Sequence, residues 1–118
     1  MALEEILEKL FEKVPQAIGV ILIDQEGEAV RESCQGNPTD LRILAAHTGI
    51  ILARLGEMQT SVSTGEISEG VITSRDGHII FGPIDREYAL VMQTGPGGAV
   101  AQSVYHFRQA MSELKRGF

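Results

Sequence analysis

Residues 17–34, AIGVILIDQEGEAVRESC, decide how this chain folds. The run 17–24 is apolar with no polar break before Asp24, which predicts a β-strand buried on both faces. Gln25-Glu26-Gly27 supplies a tight turn, and 28–34 returns as a more polar strand. Two strands joined that closely form a hairpin, and hairpin strands are antiparallel.

The pattern extends in both directions. Upstream, Leu3, Ile6, Leu7, Leu10, Phe11 and Val14 recur at helical spacing, with Glu4, Glu5, Glu8 and Glu12 opposite, and Pro15 ends that amphipathic helix. Downstream, Gly36-Asn37-Pro38 breaks the chain, and Thr39 or Asp40 caps a second helix running to about Met58. A polar loop (60–65) leads to a strand at 66–74 with Gly70 inside it. Asp76-Gly77 marks a hairpin turn into a strand at 78–84, and Asp85-Arg86 joins this to another at 87–94. The stretch TGPGGAV, 94–100, then opens a last helix with Val100, Val104, Phe107, Met111 and Leu114 on one face. The expectation is an α+β domain spanning 1–118, in the order α-β-β-α-β-β-β-α. Its five-stranded, mainly antiparallel sheet carries helices on both faces.

Composition narrows the function. A net charge of −6 without a basic cluster argues against nucleic acid or an anionic membrane as the main partner. No apolar run approaches the roughly 20 residues of a membrane span, and acids interrupt the first ten residues, unlike a signal peptide. The single cysteine, Cys34, cannot build an internal disulfide, so a cytoplasmic setting is expected.

The middle helix is the unusual element. Stepped at about 100° per residue, Leu41, Leu44, Ala45, Ile51, Leu52 and Leu55 form a wide apolar face for the sheet. Ala46, Gly49 and Ala53, with Arg42, form a second side where small residues allow close approach. A third stripe holds Asp40, Ile43, His47, Ile50, Arg54 and Glu57. A surface helix usually needs one buried stripe, and this one offers nearly two. Either it is sunk deep in a monomer core, or it packs on its own sheet and also on a partner. The strand 28–34 carries Glu28, Arg31 and Glu32, which discourage edge pairing, whereas 66–74 is less defended.

Catalytic patterns are missing from the sequence. His47, His78 and His106 have no ligand neighbour at metal spacing, and no Gly-x-Ser-x-Gly elbow occurs. Gly95-Pro96-Gly97 begins a dinucleotide fingerprint, but Val100 stands where the third glycine belongs, and no P-loop lysine follows. The stretch reads as a turn into the last helix, with Ala99 and Ala101 packing closely. No cofactor and no metal are expected.

The order of elements resembles the roadblock / dynein light-chain domain family, which includes the bacterial MglB-like regulators of small GTPases. The likeness is carried by AIGVILIDQEGEAV, by the middle helix LRILAAHTGIILARLG, by the glycine-containing strand and hairpin, and by YALVMQT before the small-residue loop. It covers nearly the whole chain. The resemblance implies a non-enzymatic homodimer, or a pairing with a related roadblock domain, that binds a Ras-like small GTPase and modulates its GTP hydrolysis. It implies dimer positions at Ala46, Gly49, Ala53, Ile67, Glu69, Val71 and Ile72. It implies GTPase-facing positions at Ile43, His47, Ile50, Arg54 and Glu57. An arginine-finger role for Arg54 has no support from the family. The alternatives are a scaffold subunit of a signalling or motility complex and a small-molecule sensor. Few polar residues lie on the expected core faces, which disfavours the sensor.

Overall fold

The computed structural model describes residues 2–117, so Met1 and Phe118 of the expected 1–118 unit lie outside the described residues. Its elements run α1 (Leu3–Lys13), β1 (Ala17–Asp24), β2 (Ala29–Cys34), α2 (Pro38–Ser61), β3 (Gly70–Ser74), β4 (Gly77–Pro83), β5 (Tyr88–Thr94) and α3 (Val100–Gly117). The strands form one sheet ordered β2-β1-β5-β4-β3, with every neighbour antiparallel. The expected element order and antiparallel sheet are what the chain adopts.

The interior position of β1, between β2 and β5, explains its unbroken apolar run. Side chains alternate across a strand, so Val20 and Leu22 enter one layer with Ile6, Leu7, Phe107 and Leu114 of α1 and α3. Ile21 and Ile23 enter the other layer with Leu41 and Ala45 of α2. Each of these four strand residues is fully buried, and each such burial is worth roughly 1.5–3 kcal/mol. The turn after β1 is fixed by Asp24, whose Oδ1 accepts from Glu26 N (2.9 Å) and Glu28 N (3.0 Å). Gly27 takes the positive φ of 84° that the turn requires.

Some expected boundaries move. Asn37, read as part of a chain break, is the N-cap of α2: its Oδ1 accepts from Thr39 N at 2.9 Å, with Pro38 in the first turn. Thr39 and Asp40 are already helical, and the helix continues past Met58 to Ser61. In α3, Phe107, Met111 and Leu114 are buried as expected, but Val100 is exposed at the helix start.

The largest change concerns the strand expected at 66–74. Only Gly70–Ser74 pairs with β4. Residues 66–69 leave the sheet because they are tied elsewhere. Ile67 N donates to Gln59 Oε1 at 2.8 Å. Arg108 of α3 grips both carboxylate oxygens of Glu69, at 2.8 and 2.7 Å. Gly82 of β4 gives this segment its path, since a side chain there would collide with the Ser68 carbonyl. Gly70 has its own reason: the Phe81 ring, its register partner, occupies the space of the missing Cβ.

Two predictions follow from these contacts. Gly77 opens β4 at a φ of 147°, and a Cβ there would collide with the backbone carbonyl of Thr94. Gly77→Ala should therefore lower stability by about 2–4 kcal/mol, read as a drop in thermal midpoint. The hydrogen bond from Arg108 holds the Glu69 carboxyl below its ordinary pKa. A lowered folded-state pKa gives stability that is present above the unfolded value and lost as pH falls through the folded one. Arg108→Ala should accordingly weaken the fold against urea at neutral pH, with the difference from wild type closing in acid.

Candidate interaction surface

The sheet positions α2 by burying Leu41, Ala45 and Thr48, with Leu44, Leu52 and Leu55 half-buried beside them. Thr48 is the unexpected member. Its Oγ1 donates to Leu44 O at 2.8 Å, so its hydroxyl is satisfied within the helix and its methyl can face the core. Ile51, expected on that sheet-facing side, is instead 38% exposed. The core line runs through 41, 45, 48 and 52, and Ile51 falls about 100° away from it.

The outward line of the helix carries Ile43, His47, Ile50, Arg54 and Glu57, all of them exposed. Ile43 and Ile50 are 54% and 59% exposed. Arg54 Nη1 donates to Glu57 Oε2 at 3.3 Å, an open surface pair of little energetic weight. The five residues expected to face a partner thus lie together on one accessible ridge.

The small-residue side has neighbours within the chain itself. Arg42 Nε donates to both oxygens of Glu32 on β2, at 3.0 and 2.9 Å, and this bond raises the Arg42 pKa. That flank of α2 therefore faces the β2 edge. A Cβ added to Gly27 would sit 3.4 Å from Ala46 Cα, and one added to Gly49 would meet Ile23 and Gly27. The close approach allowed by Ala46 and Gly49 is thus made by the chain's own β1–β2 turn. Ala53 is exposed on the same flank. Gly49 and Ala53 also line a cleft with Glu66, Ile67 and Ser68, the segment that leads into β3.

The opposite flank carries larger side chains. Ile51 and Met58, 38% and 42% exposed, project toward the β4–β3 side, where Ile72 and Ile79 lie half-buried on the same face of the sheet. Within β3, Val71 is 41% exposed on the other face, and Ile72 lies against the α2 layer. Ile67 and Glu69, also expected in the dimer contact, precede the strand. Ile67 sits in the segment tied to α2, and Glu69 is held by Arg108 on α3.

The glycine stretch before α3 is a packed turn. Gly97 and Gly98 adopt φ of 96° and 67°. A Cβ on Gly98 would collide with the Gln16 side chain, and Gly95 N donates to Gln16 O at 2.8 Å. Ala99 and Ala101 are exposed, so the close contact belongs to Gly98 rather than to them. Among the described residues, no group of three His, Cys, Asp or Glu side chains is placed to hold a metal ion. No described helix is long and apolar enough to cross a membrane.

The architecture matches known proteins closely, although their sequences are distant. The gliding protein MglB of Thermus thermophilus is 18% identical and superposes with a TM-score of 0.84, covering 96% of this chain and 85% of its own. MglB of Myxococcus xanthus is 17% identical at a TM-score of 0.84, covering 95% and 84%. A Roadblock/LC7 domain from Streptomyces avermitilis is 13% identical at 0.85, covering 98% and 97%. Such identities establish likeness of fold. No curated protein matches the chain by sequence. The model of the Roadblock/LC7 domain matches residues 3–94, from the first helix to the end of the last strand, and the chain belongs to that family.

Proposed function

We propose that this chain is a cytoplasmic roadblock adaptor that self-associates and binds a Ras-like small GTPase, stimulating its GTP hydrolysis without an active site of its own. The observation that carries this reading is the exposure of Ile43, Ile50, Ile51 and Met58 on one helix. Isolated surface isoleucines are ordinary, but a line of them on one helix marks a protein contact.

In this reading the line divides into two uses. Ile51 and Met58, on the flank toward β3, meet the same flank of a second copy while the β3 edges pair through Gly70–Ser74. Val71 and Ile72 of the earlier expectation remain in that contact. Ala46, Gly49, Ala53, Ile67 and Glu69 are not contact residues in this reading, which is supported by Ala46 and Gly49 meeting the chain's own β1–β2 turn and by Glu69 being held by Arg108. Ile43, His47, Ile50, Arg54 and Glu57 then face the GTPase. Self-association is supported by a similar structure, an MglB with a tetrameric arrangement. Effect on the GTPase comes through contact and rearrangement, and Arg54 is not required as a finger. The competing reading, a passive scaffold, shares the surface and differs only in its effect on turnover.

Two measurements test the parts separately. Ile51→Asp should weaken self-association at least about tenfold, seen as a fall in mass by light scattering, while Arg42→Ala on the far flank leaves the mass unchanged. An undiminished mass for Ile51→Asp removes this interface. For the partner surface, Ile50→Asp should reduce the stimulated GTP hydrolysis of its cognate small GTPase about tenfold. Arg54→Ala should fall far short of the roughly thousandfold or greater loss expected of an arginine finger. If the wild-type protein binds the GTPase without altering its rate, the scaffold reading stands and the activator reading falls.

A further inference from the structure

The 24 residues of α2 span about 36 Å at 1.5 Å per residue. The strands beneath hold five to eight residues, or about 17–27 Å. The helix is therefore longer than the sheet it lies on. Its C-terminal half overhangs the end where β1 and β4 finish and β5 begins. Beneath the overhang lies a cleft of about 650 Å³, within the roughly 300–1,000 Å³ of ligand pockets.

Hydrogen bonds fix two walls of this cleft. One is the segment around Ile67, held to the helix through Gln59. The other is the β4–β5 turn, where Asp85 Oδ1 accepts from Glu87 N at 2.8 Å and Tyr88 N at 2.9 Å. The floor is apolar, built from Ile23, Leu52, Leu55, Ile84 and Ala89. The charges stand around it: carboxylates at Asp24, Glu66, Asp85 and Glu87 against cations at Arg86 and Lys115. An apolar floor with an acid-rich rim complements a segment that is apolar on one side and basic on the other.

Gly56 adds a second reason. It lines the cleft from the interior of α2, where glycine costs about 1 kcal/mol relative to alanine. The other buried or half-buried glycines of the sheet and helices meet a neighbour where their Cβ would be, but Gly56 meets nothing within 4 Å. Its own chain gives no packing reason for the missing side chain. Bare helix backbone facing an open cleft allows close approach by another chain.

We propose that this cleft is a second docking site, apart from the outward ridge of α2. Its occupant is a short segment of a partner protein, whose apolar side chains enter the floor and whose lysines or arginines meet Glu66 and Glu87 on the rim. A compact small molecule is the poorer fit. The rim charges are spread around the opening, and Asp24 and Asp85 each already accept from their own turn.

The test uses a short fluorescein-labelled leucine–lysine peptide, a leucine–glutamate peptide of the same length, and anilinonaphthalene sulfonate as a small apolar probe. The basic peptide should bind, and Gly56→Leu, which fills the cleft from its open side, should weaken it about tenfold while the thermal midpoint holds or rises. Glu87→Lys with Glu66→Lys should weaken it similarly, whereas Glu5→Lys with Glu8→Lys on α1 should leave it unchanged. Equal binding of the acidic peptide, or equal loss from the α1 reversal, would reduce the effect to general hydrophobic or charge attraction and overturn the site. Retained peptide binding in Gly56→Leu would do the same. Sulfonate binding that Gly56→Leu abolishes, without peptide binding to the wild type, would make the cleft a small-molecule site. None of these outcomes depends on whether the outward ridge binds a GTPase.

Discussion

One helix cannot cover a five-stranded sheet. Strands lie about 4.8 Å apart, so five make a surface roughly 24 Å wide, while a helix with its side chains is about 10–12 Å across. On one face α1 and α3 share the task, and the core there is closed around Phe107 and Leu114. On the other, α2 works alone. It lies across the β1 side, pinned to β2 by Arg42 and Glu32, and leaves Ile72 and Ile79 half-buried beyond it. This asymmetry generates the exposed flank of α2, from which the proposed self-association follows.

The sheet was legible in the sequence because its signals are local. An unbroken apolar run, a turn with glycine and a returning strand are readable from adjacent residues, and β1 and β2 formed where those signals lay. The helix α2 was harder because apolar residues surround most of its circumference. Stepping at 100° identifies stripes, but which stripe meets the sheet depends on rotation about the axis. A threonine whose hydroxyl is satisfied within the helix was accepted where an isoleucine was expected. The outward line 43, 47, 50, 54 and 57 survived this rotation, since it lies nearly opposite the core line.

Other features were out of reach because they depend on distant partners. Residues 66–69 have the alternation of a strand, yet Gln59, Arg108 and the bare backbone of Gly82 draw them out of the sheet. Nothing near Glu69 in the sequence names an arginine almost forty positions later. Small residues posed the same difficulty. Gly49 and Gly56 stand two turns apart on one side of the helix, but the first is filled by the chain's own β1–β2 turn and the second faces an opening. The Asn37-Pro38 pair was ambiguous for a different reason: its residues signal both a break and a helix start, and here they do both.

The two edges of the sheet are unlike. At β2, Arg31 donates to Glu4 of α1 at 3.0 Å and also to the Val30 carbonyl, while Glu32 is taken by Arg42 of α2. The edge is thus stapled by charge to the layers on both faces. Among the described residues, no ion pair guards the β3 edge over Gly70–Ser74. A sheet with one guarded and one open side has a valence of one. Two copies meeting through β3 would present only guarded strands at their outer margins, so strand pairing would stop at the pair and could not run on into a fibre.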